Sequence, residues 1–337
     1  MAQDPAPPPE FTDSAAPAAP RRERMSGRTL GLLLSTTVLF AVLAFVSQSF
    51  LSGYTMFVIS RQMAFYLLIA LAQAFCLVVG QMNLAVGAIG GIATVVLGLG
   101  LETWGLPAWL AVILALGAGV LAGALDGFLI TRLKIDSFIV TLSTMFIFMG
   151  LRSGISNGAP YKVPASFTAV GQGALFGVPY VFLIAVVLLG LVGLMYRNSV
   201  AGRRMLATGG NAEAARLSGI DTAAMVVRAH VLSGAFAALA AVLWASKLGS
   251  AAPETGDDWL IVSFAVAIIG GTGLAGGTIS AWGVFLGSAV FMLIQHGLVE
   301  AKANPYYANA FLGLLILLAI GVDRAREIFG AGARRRS

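Results

Sequence analysis

Residues 62–101 read QMAFYLLIALAQAFCLVVGQMNLAVGAIGGIATVVLGLGL and contain no charged side chain. A transmembrane helix needs about 20 predominantly apolar residues, so this stretch is long enough to cross a bilayer twice. Its middle, from Gly80 to Gly87, also holds the polar residues Gln81 and Asn83. Unwound backbone persists at membrane depth only where it is buried in protein or lines a wet cavity, and glycine permits both unwinding and close helix packing. The stretch therefore predicts two spanning helices around a break.

The composition excludes a water-soluble fold. Of the 337 residues, 58% are hydrophobic and 11% are charged, against roughly 25% charged residues in an ordinary soluble domain. The mean hydropathy is +0.89. Apolar stretches that are candidates for membrane spans number ten: 30–46, 62–80, 83–101, 107–131, 138–152, 178–196, 228–248, 259–270, 279–298 and 306–322. We therefore predict an all-α fold, a polytopic membrane helix bundle of about ten transmembrane helices.

The basic residues indicate the orientation of this bundle. If the N-terminus is cytoplasmic, sixteen lysines and arginines fall in cytoplasmic segments and only five fall outside: Arg61, Arg152, Lys162, Lys247 and Lys302. Cytoplasmic loops of membrane proteins carry an excess of positive charge, so the bias favours both termini in the cytoplasm. Because the charge is spread over short loops, the net charge of +6 does not indicate a nucleic-acid partner.

Three parts are predicted along the chain. Residues 1–28 are rich in alanine and proline and are expected to form a disordered cytoplasmic tail. Residues 29–324 form the transmembrane domain, and residues 325–337 form a basic cytoplasmic tail. The longest cytoplasmic connection, residues 197–227, is too polar to enter lipid, so it is the main candidate for contact with a cytoplasmic protein.

A second glycine-rich block resembles the first break. Four residues recur at a constant offset of 190 residues: Gly80, Leu84, Ala85 and Gly87 correspond to Gly270, Leu274, Ala275 and Gly277. The same offset places the stretch 107–131 on the stretch 306–322. Transporters are commonly built from internal repeats with broken helices, so we predict an internal repeat here.

Motifs for enzymatic chemistry are absent from the sequence. There is no Gly-x-x-x-x-Gly-Lys-Ser/Thr phosphate loop and no His-Glu-x-x-His metal motif. His230 and His296 lie in different stretches, and the one cysteine, Cys76, lies inside an apolar stretch. The sequence therefore predicts neither an enzyme nor a bound metal or cofactor, and any use of ATP belongs to a partner.

Asp126 is the main acidic residue within the predicted spans. Carriers driven by protons or sodium ions usually place ionisable groups at mid-membrane, so the scarcity of such groups argues against that class. We predict that Asp126 lies near a helix end and pairs with Arg132 or Lys134 rather than relaying protons. A gradient-driven secondary transporter of a small polar solute stays the alternative function, because it would also suit a repeat with broken helices.

The longest connection contains GRRMLATGGNAEAARLSGI, from Gly202 to Ile220. Asn211 can cap a short helix, Glu213 then lies in its first turn, and Gly219 can end it after Arg216. The segment is either a solvated connector or a helix presented to a cytoplasmic partner.

This segment resembles the cytoplasmic coupling segment of the ribose-type sugar permeases of ATP-binding-cassette importers, whose pattern is Gly-Arg, Ala-x-Gly-Gly-Asn and Ala-x-Arg-Leu-Ser-Gly-Ile. Two further family motifs have counterparts in the same order. SFIVTLSTMFIFMGL at 137–151 resembles Pro-Phe-Ile-Val-Thr-Leu-Gly-Thr, and GGTGLAGG at 270–277 resembles Gly-Gly-Thr-x-Leu-x-Gly-Gly. The resemblance implies ATPase-coupling residues in the segment: Gly202, Arg203, Gly210, Asn211, Glu213, Arg216 and Gly219.

The same resemblance implies a transmembrane permease subunit that passes a sugar or a sugar-like solute into the cytoplasm. The expected partners are a cytoplasmic ATP-binding subunit, a periplasmic sugar-binding protein that delivers the solute, a second permease chain and the lipid bilayer. The second chain is either identical or different, and the particular sugar, polyol or signalling molecule stays open.

One motif departs from the family. The usual Gly-Gly-Ile-Asp-Leu-Ser-Val-Gly is replaced by the residues from Gly80 to Gly87, with Asn83 in place of the aspartate. An amide donates and accepts hydrogen bonds whereas a carboxylate only accepts them, so solute preference or gating is expected to differ, with a packing role as the alternative. The expected path residues, for which interhelical hydrogen bonding is the alternative role, are Gln81, Asn83, Thr141, Thr144 and Thr272.

Overall fold

A computed structural model of the chain describes residues 27–302 together with Ala310 and Gly313. The predicted tails at 1–28 and 325–337 lie outside the described residues, apart from positions 27 and 28, and so does most of the predicted span at 306–322. The helices in the described part are α1 Gly27–Val46, α2 Gly53–Val78, α3 Val86–Gly98, α4 Ala108–Leu133, α5 Ser137–Ser156, α6 Ala165–Gln172, α7 Tyr180–Asn198, α8 Val200–Gly210, α9 Ala212–Leu217, α10 Thr222–Leu248, α11 Trp259–Ile269 and α12 Ala281–Glu300. A π-helical turn, Leu99–Thr103, prolongs α3.

The loops at one end of the bundle contain two short pairs of antiparallel strands. Strand β1, Tyr161–Lys162, pairs with β4, Ser250–Ala251, and strand β2, Ala174–Leu175, pairs with β3, Val178–Pro179. The first pair ties the loop after α5 to the loop after α10. These pairs are the only strands in the part of the chain that the structure describes, so the fold is a helical membrane bundle as predicted.

Eight of the described helices are long and apolar enough to cross a membrane. They correspond to eight of the ten predicted stretches. A further predicted stretch, 259–270, forms the 11-residue helix α11. This helix is about 16 Å long and covers about half of a 30 Å hydrocarbon core. The predicted count of ten is therefore approximate.

The re-entrant loop at 249–258 explains why α11 is short. This loop runs from the end of α10 back into the bundle along α3. Its strand partner Tyr161 lies against Gly98, its Pro253 lies near Gly91, and its Gly256 lies against Gly87. The distance from position 98 to position 87 along α3 is about 16 Å. The loop thus covers roughly half of the bilayer, and α11 covers the remainder.

The core is centred on α2 and α10. Nearly every residue of α2 from Met63 onward is buried, which suits a helix that is apolar on all sides. Helix α4 packs on α10 through a row of small residues, since a Cβ at Gly119 would lie 2.5 Å from the Gly234 carbonyl oxygen and Gly123 lies against the His230 backbone. Such close backbone approach is typical of transmembrane helix pairs.

Helices α2 and α11 end in the same local geometry. At the end of α2 the N–H of Gly80 donates to Leu77 O and the N–H of Gln81 donates to Cys76 O. At the end of α11 the N–H of Gly271 donates to Ile268 O and the N–H of Thr272 donates to Ala267 O. Both glycines have a left-handed φ, +72° and +84°, which identifies a Schellman cap at each site.

The internal repeat therefore has an offset of 191 residues at these caps, not the predicted 190. Residue identities in the sequence align Gly80 with Gly270. The backbone φ angles instead align Gly80 with Gly271. The reason is that Gly270, the C-cap residue that follows Ile269, keeps a right-handed helical φ of −64°. A helix, a glycine-capped break and a second helix thus occur in both halves.

Candidate solute path and coupling surface

The first break, residues 79–85, connects α2 to α3. Its backbone leaves helical geometry, yet its N–H groups are paired with side chains of α5. The N–H of Met82 donates to Ser137 Oγ at 3.1 Å, and the N–H of Leu84 donates to Thr141 Oγ1 at 3.1 Å. Unpaired backbone would be costly at this depth, so these two hydroxyls hold the break in place.

Asn83 is fully buried in the first break. Its amide nitrogen donates to Ser233 Oγ of α10 at 2.9 Å, and its side-chain oxygen accepts the N–H of Ala85 at 2.9 Å. The amide therefore uses the donor that an aspartate would lack. This contact is the interhelical packing that the sequence left as the alternative role for Asn83.

The other predicted path residues are distributed over both breaks. Thr141 is buried at the first break, and Thr144, also buried, donates to Thr141 O at 3.3 Å. Gln81 is partly buried. Thr272 is buried in the second break, residues 270–280, and its hydroxyl has no hydrogen-bond partner among the described residues. The structure thus brings Asn83, Thr141 and Thr144 together at the first break, whereas Thr272 belongs to the second break.

Two adjoining cavities, both open at the surface of the single chain, lie beside the first break, between α5 and α11. The larger, about 290 Å³, is lined only by apolar side chains: Met82, Leu84, Phe138, Leu260, Ile261 and Phe264. The smaller, about 170 Å³, shares Leu84 and Leu260 with it and adds Gly87, Ala88, Met145, Phe146, Met149, Gly256 and Asp257. Asp257 is the one ionisable residue lining either cavity. We take the two together as the candidate solute path.

Asp257 was not among the predicted path residues. In the sequence it is an acidic residue in a loop, and nothing there shows that this loop re-enters the bundle along α3. The structure pairs it with Arg152, which the charge bias had assigned to the non-cytoplasmic side. The Arg152 residue is 3% exposed, and its guanidinium forms an ion pair with the Asp257 carboxylate.

Asp258 follows Asp257 directly at the start of α11. Asp258 lines neither of the two cavities. The two neighbouring carboxylates therefore have different surroundings.

The predicted helix in the connection is confirmed as α9. Asn211 caps it, because its side-chain oxygen accepts the N–H of Ala214 at 2.9 Å. Glu213 lies in the first turn, and Gly219, with φ +78°, follows the last turn that contains Arg216. The side chains of Glu213, Arg216 and Leu217 are exposed. This short helix presents charged and apolar groups outward from the bundle.

The preceding helix, α8, is fixed to α7. Gly202 is buried against the Met195 carbonyl oxygen and the Tyr196 backbone, so it leaves no space for a side chain. Arg203 is exposed and donates to Asn198 O at 3.1 Å. The predicted coupling residues thus divide into a buried glycine contact, Gly202, and exposed positions on α8 and α9.

Both breaks meet α8 at a cluster that we call the glycine junction, defined by Gly80, Gly209, Gly210, Gly276 and Gly277. The N–H of Gly277 donates to Val78 O at 2.8 Å. A Cβ at Gly209 would overlap the same Val78 oxygen, a Cβ at Gly277 would lie 2.7 Å from Gly210 Cα, and one at Gly276 would lie 2.8 Å from Gly80 N. The end of α8 is therefore in direct backbone contact with both breaks.

The predicted pairing of Asp126 is wrong. Asp126 is fully buried on α4, and neither carboxylate oxygen has a hydrogen-bond partner among the described residues. The ion pairs in that part of the chain do not include it, so it is bound neither to Arg132 nor to Lys134. It lies close to Thr144 and Cys76 instead. Hydropathy had placed Asp126 near a helix end, but the packing of α3, α5 and α10 around α4 encloses it.

No metal centre is evident in the part of the chain that the structure describes. No group of three or more histidine, cysteine, aspartate and glutamate side chains there is close enough to hold an ion.

Comparison with known proteins gives one family. The sequence model described as branched-chain amino acid transport system, permease component, matches residues 55–320. A ribose import permease protein of Bacillus subtilis is 31% identical over 301 residues, which is 88% of this chain and 93% of the relative. A galactose/methyl galactoside import permease protein of Salmonella typhimurium is 28% identical over 87% of this chain and 93% of the relative.

A third relative differs in its named solute. An autoinducer 2 import system permease protein of Escherichia coli is 29% identical over 303 residues, 89% of this chain and 88% of the relative. No solved structure gives a significant match to the chain.

Proposed function

Since this chain belongs to the permease family of the branched-chain amino acid transport system, we propose that it forms the solute path of an ATP-driven importer for a sugar or a sugar-like solute. It is the permease subunit of an ATP-binding-cassette importer and not an enzyme, because ATP is hydrolysed on a separate subunit. The observation that carries the proposal is the glycine junction, where the segment expected to contact that subunit meets both breaks of the path.

The solute class rests on the relatives and on the lining of the path. The similar permeases are named for ribose, for galactose and methyl galactoside, and for autoinducer 2. The family description names branched-chain amino acids instead. An amino acid is a zwitterion: the Asp257 carboxylate would attract its ammonium group, but neither cavity is lined by a basic residue that would pair with its carboxylate. A neutral polyhydroxy solute meets no such penalty.

The coupling step follows from the contacts. The ATP-binding subunit would bind the exposed face around Asn211, Glu213 and Arg216 of α9. Its ATP-bound and ATP-free states would favour different positions of α9 and α8, and the glycine junction would pass the displacement to both breaks. Differential affinity of the partner for the two states is the only source of the energy for such a shift. Gly202 and Gly219 fix the two ends of the moving segment, and Arg203 lies on its exposed side.

The path residues keep separate proposed roles. Thr141 and Thr144 support the wall formed by the first break, Asn83 joins that wall to α10, and Gln81 and Thr272 contact the solute or its water at the coupling side.

The assembly is proposed from the family. Two permease chains, the same or different, would form one pore, with two ATP-binding subunits on the cytoplasmic side and a periplasmic sugar-binding protein opposite. The chain would lie in the bacterial inner membrane with both termini in the cytoplasm. In the described part, the end that carries α8 and α9 also holds Arg132, Lys134 and Arg228, which supports this orientation.

Uptake into proteoliposomes tests the proposal. The chain is reconstituted with its ATP-binding subunit and its solute-binding protein, and uptake of radiolabelled ribose, galactose and leucine is measured with and without ATP. We expect uptake of a sugar that requires both ATP and the subunit. Uptake driven by an ion gradient without the subunit would favour a secondary transporter, and ATP-driven uptake of leucine alone would favour an amino acid importer.

A further inference from the structure

The buried guanidinium of Arg152 lies where three parts of the bundle meet. Its Nη1 donates to Thr255 O at 3.2 Å, and its Nη2 pairs with the Asp257 carboxylate, both in the re-entrant loop. It lies against Gly91 of α3, where a Cβ would overlap it. The absence of a side chain at position 91 therefore makes the space that this arginine occupies.

Asp257 is exposed on the side facing the path. Its side chain is 49% exposed although its ion-pair partner is 4% exposed. One carboxylate oxygen is bound by Arg152, and the carboxylate lines the smaller cavity. Here the arginine is enclosed and the carboxylate is presented to the cavity.

The rest of that cavity is apolar. Met145, Phe146 and Met149 of α5 face Leu84 and the backbone of Gly87 across it. Its volume of about 170 Å³ corresponds to about five or six water molecules at ~30 Å³ each. Binding sites of this kind combine apolar walls with a few fixed polar groups that orient the ligand.

We propose that Asp257, positioned by Arg152, is a solute-binding residue that accepts hydrogen bonds from neighbouring hydroxyl groups of a sugar in the smaller cavity. This inference rests on the proposed function. Hydrogen bonds from hydroxyls to a carboxylate are charge-assisted and stronger than neutral ones, and the C–H face of a sugar ring would pack on Phe146 and the methionines.

Arg152 is a positioning residue in this arrangement. It holds one oxygen of Asp257 and leaves the rest of the carboxylate for the solute. The Nε of the same guanidinium has no hydrogen-bond partner among the described residues, although the side chain is almost wholly enclosed. Arg152 lines neither cavity, so it acts on the solute only through Asp257.

Asp257→Asn tests the inference in the reconstituted importer, with uptake of labelled ribose and galactose and ATP hydrolysis measured together. We expect the sugar imported per ATP hydrolysed to fall by about tenfold, because a charge-assisted contact is lost. The ATPase stimulation by the loaded binding protein should persist, because docking is unaffected. Asp258→Asn, at the adjacent carboxylate that lines neither cavity, should leave both quantities unchanged.

Two further variants separate binding from folding. Asp257→Glu retains a carboxylate and should recover part of the import per ATP, and Arg152→Lys should weaken the apparent affinity for sugar more than the maximal rate. An Asp257→Asn protein with wild-type import per ATP would overturn the inference, and so would an equal fall in import and ATPase that Asp257→Glu does not relieve. If the wild type imports no sugar with ATP, the proposed function itself fails, which is a distinguishable result.

Discussion

The two breaks have the same glycine cap but are held by different contacts. The first break, 79–85, is fixed by side chains of neighbouring helices, since Ser137, Thr141 and Ser233 pair with its polar groups. The second break, 270–280, is held by backbone contact with α2 and α8 at the glycine junction. One of its own polar side chains, Thr272, has no hydrogen-bond partner among the described residues.

This difference assigns different mechanical roles to the two halves of the repeat. Specific hydrogen bonds from three side chains keep the first break in one geometry, which suits a wall of the solute path. The glycine junction has one directional bond, from the Gly277 N–H to Val78 O, beside close backbone packing that can slide, which suits a contact that transmits movement. We therefore expect that a side chain added at a glycine disrupts the second break most. Removal of a hydrogen-bonding side chain should disrupt the first break most.

The largest effect is expected from Gly209→Val. A side chain at 209 would overlap the Val78 carbonyl oxygen, and overpacking costs about 1–3 kcal/mol or more when backbone must move. ATP-driven uptake should fall at least about tenfold, as measured in proteoliposomes. Gly190→Val in α7 is the matched control, because it adds the same side chain at a helical glycine outside the junction, where a Cβ would have no atom within 4 Å. Equal ATP-driven uptake by the two variants would show that close packing at the glycine junction is not needed for transport.

Asn83→Ala should have the next largest effect. It leaves the N–H of Ala85 unpaired and removes the bond to Ser233, at an expected cost of about 1–3 kcal/mol for each unsatisfied buried group. Thermal unfolding in detergent measures this loss of stability. Ser233→Ala and the double variant complete a cycle, and additive losses in stability would show that the observed hydrogen bond contributes nothing.

Thr141→Val should destabilise the chain by about 1–3 kcal/mol, since it preserves shape and leaves the N–H of Leu84 without an acceptor. Thr94→Val is the control, because the Thr94 hydroxyl is also buried but donates only to Gly90 O within its own helix. The melting temperature is the measurement. If Thr94→Val lowered the melting temperature as much as Thr141→Val, the lower stability of Thr141→Val would not be due to the lost hydrogen bond at the first break.

The smallest effect is expected from Thr272→Val in the second break. The buried hydroxyl has no hydrogen-bond partner among the described residues, so its removal should be neutral or stabilising by up to about 1 kcal/mol. A fall in sugar uptake at unchanged melting temperature would assign Thr272 to the path. A marked loss of stability would contradict the contrast between the two breaks.

Local signals in the sequence predicted the helices, the first break and the capped helix α9. Asn211 and Gly219 act through bonds to residues within a few positions, so their roles follow from the chain itself. The sequence comparison placed the repeat one residue out of register at the caps. Residue identities alone do not show that Gly271, and not Gly270, adopts the left-handed φ.

Long-range packing determined the features that sequence reasoning missed. The isolation of Asp126 depends on three helices that enclose it, and the pairing of Arg152 with Asp257 joins positions 105 residues apart. The glycine junction joins three motifs that the sequence had identified separately. Such contacts leave no local pattern, although the concentration of glycine in each motif indicated close packing there.

The central claim is that α9 receives the force of an ATP-binding subunit. The most direct measurement is ATP-driven sugar uptake by the reconstituted importer with Arg216→Glu, beside Arg228→Glu, an equal charge reversal at an exposed position just outside the segment. The account predicts a fall of at least about tenfold for Arg216→Glu and wild-type uptake for Arg228→Glu. Undiminished ATP-driven uptake with Arg216→Glu would contradict it.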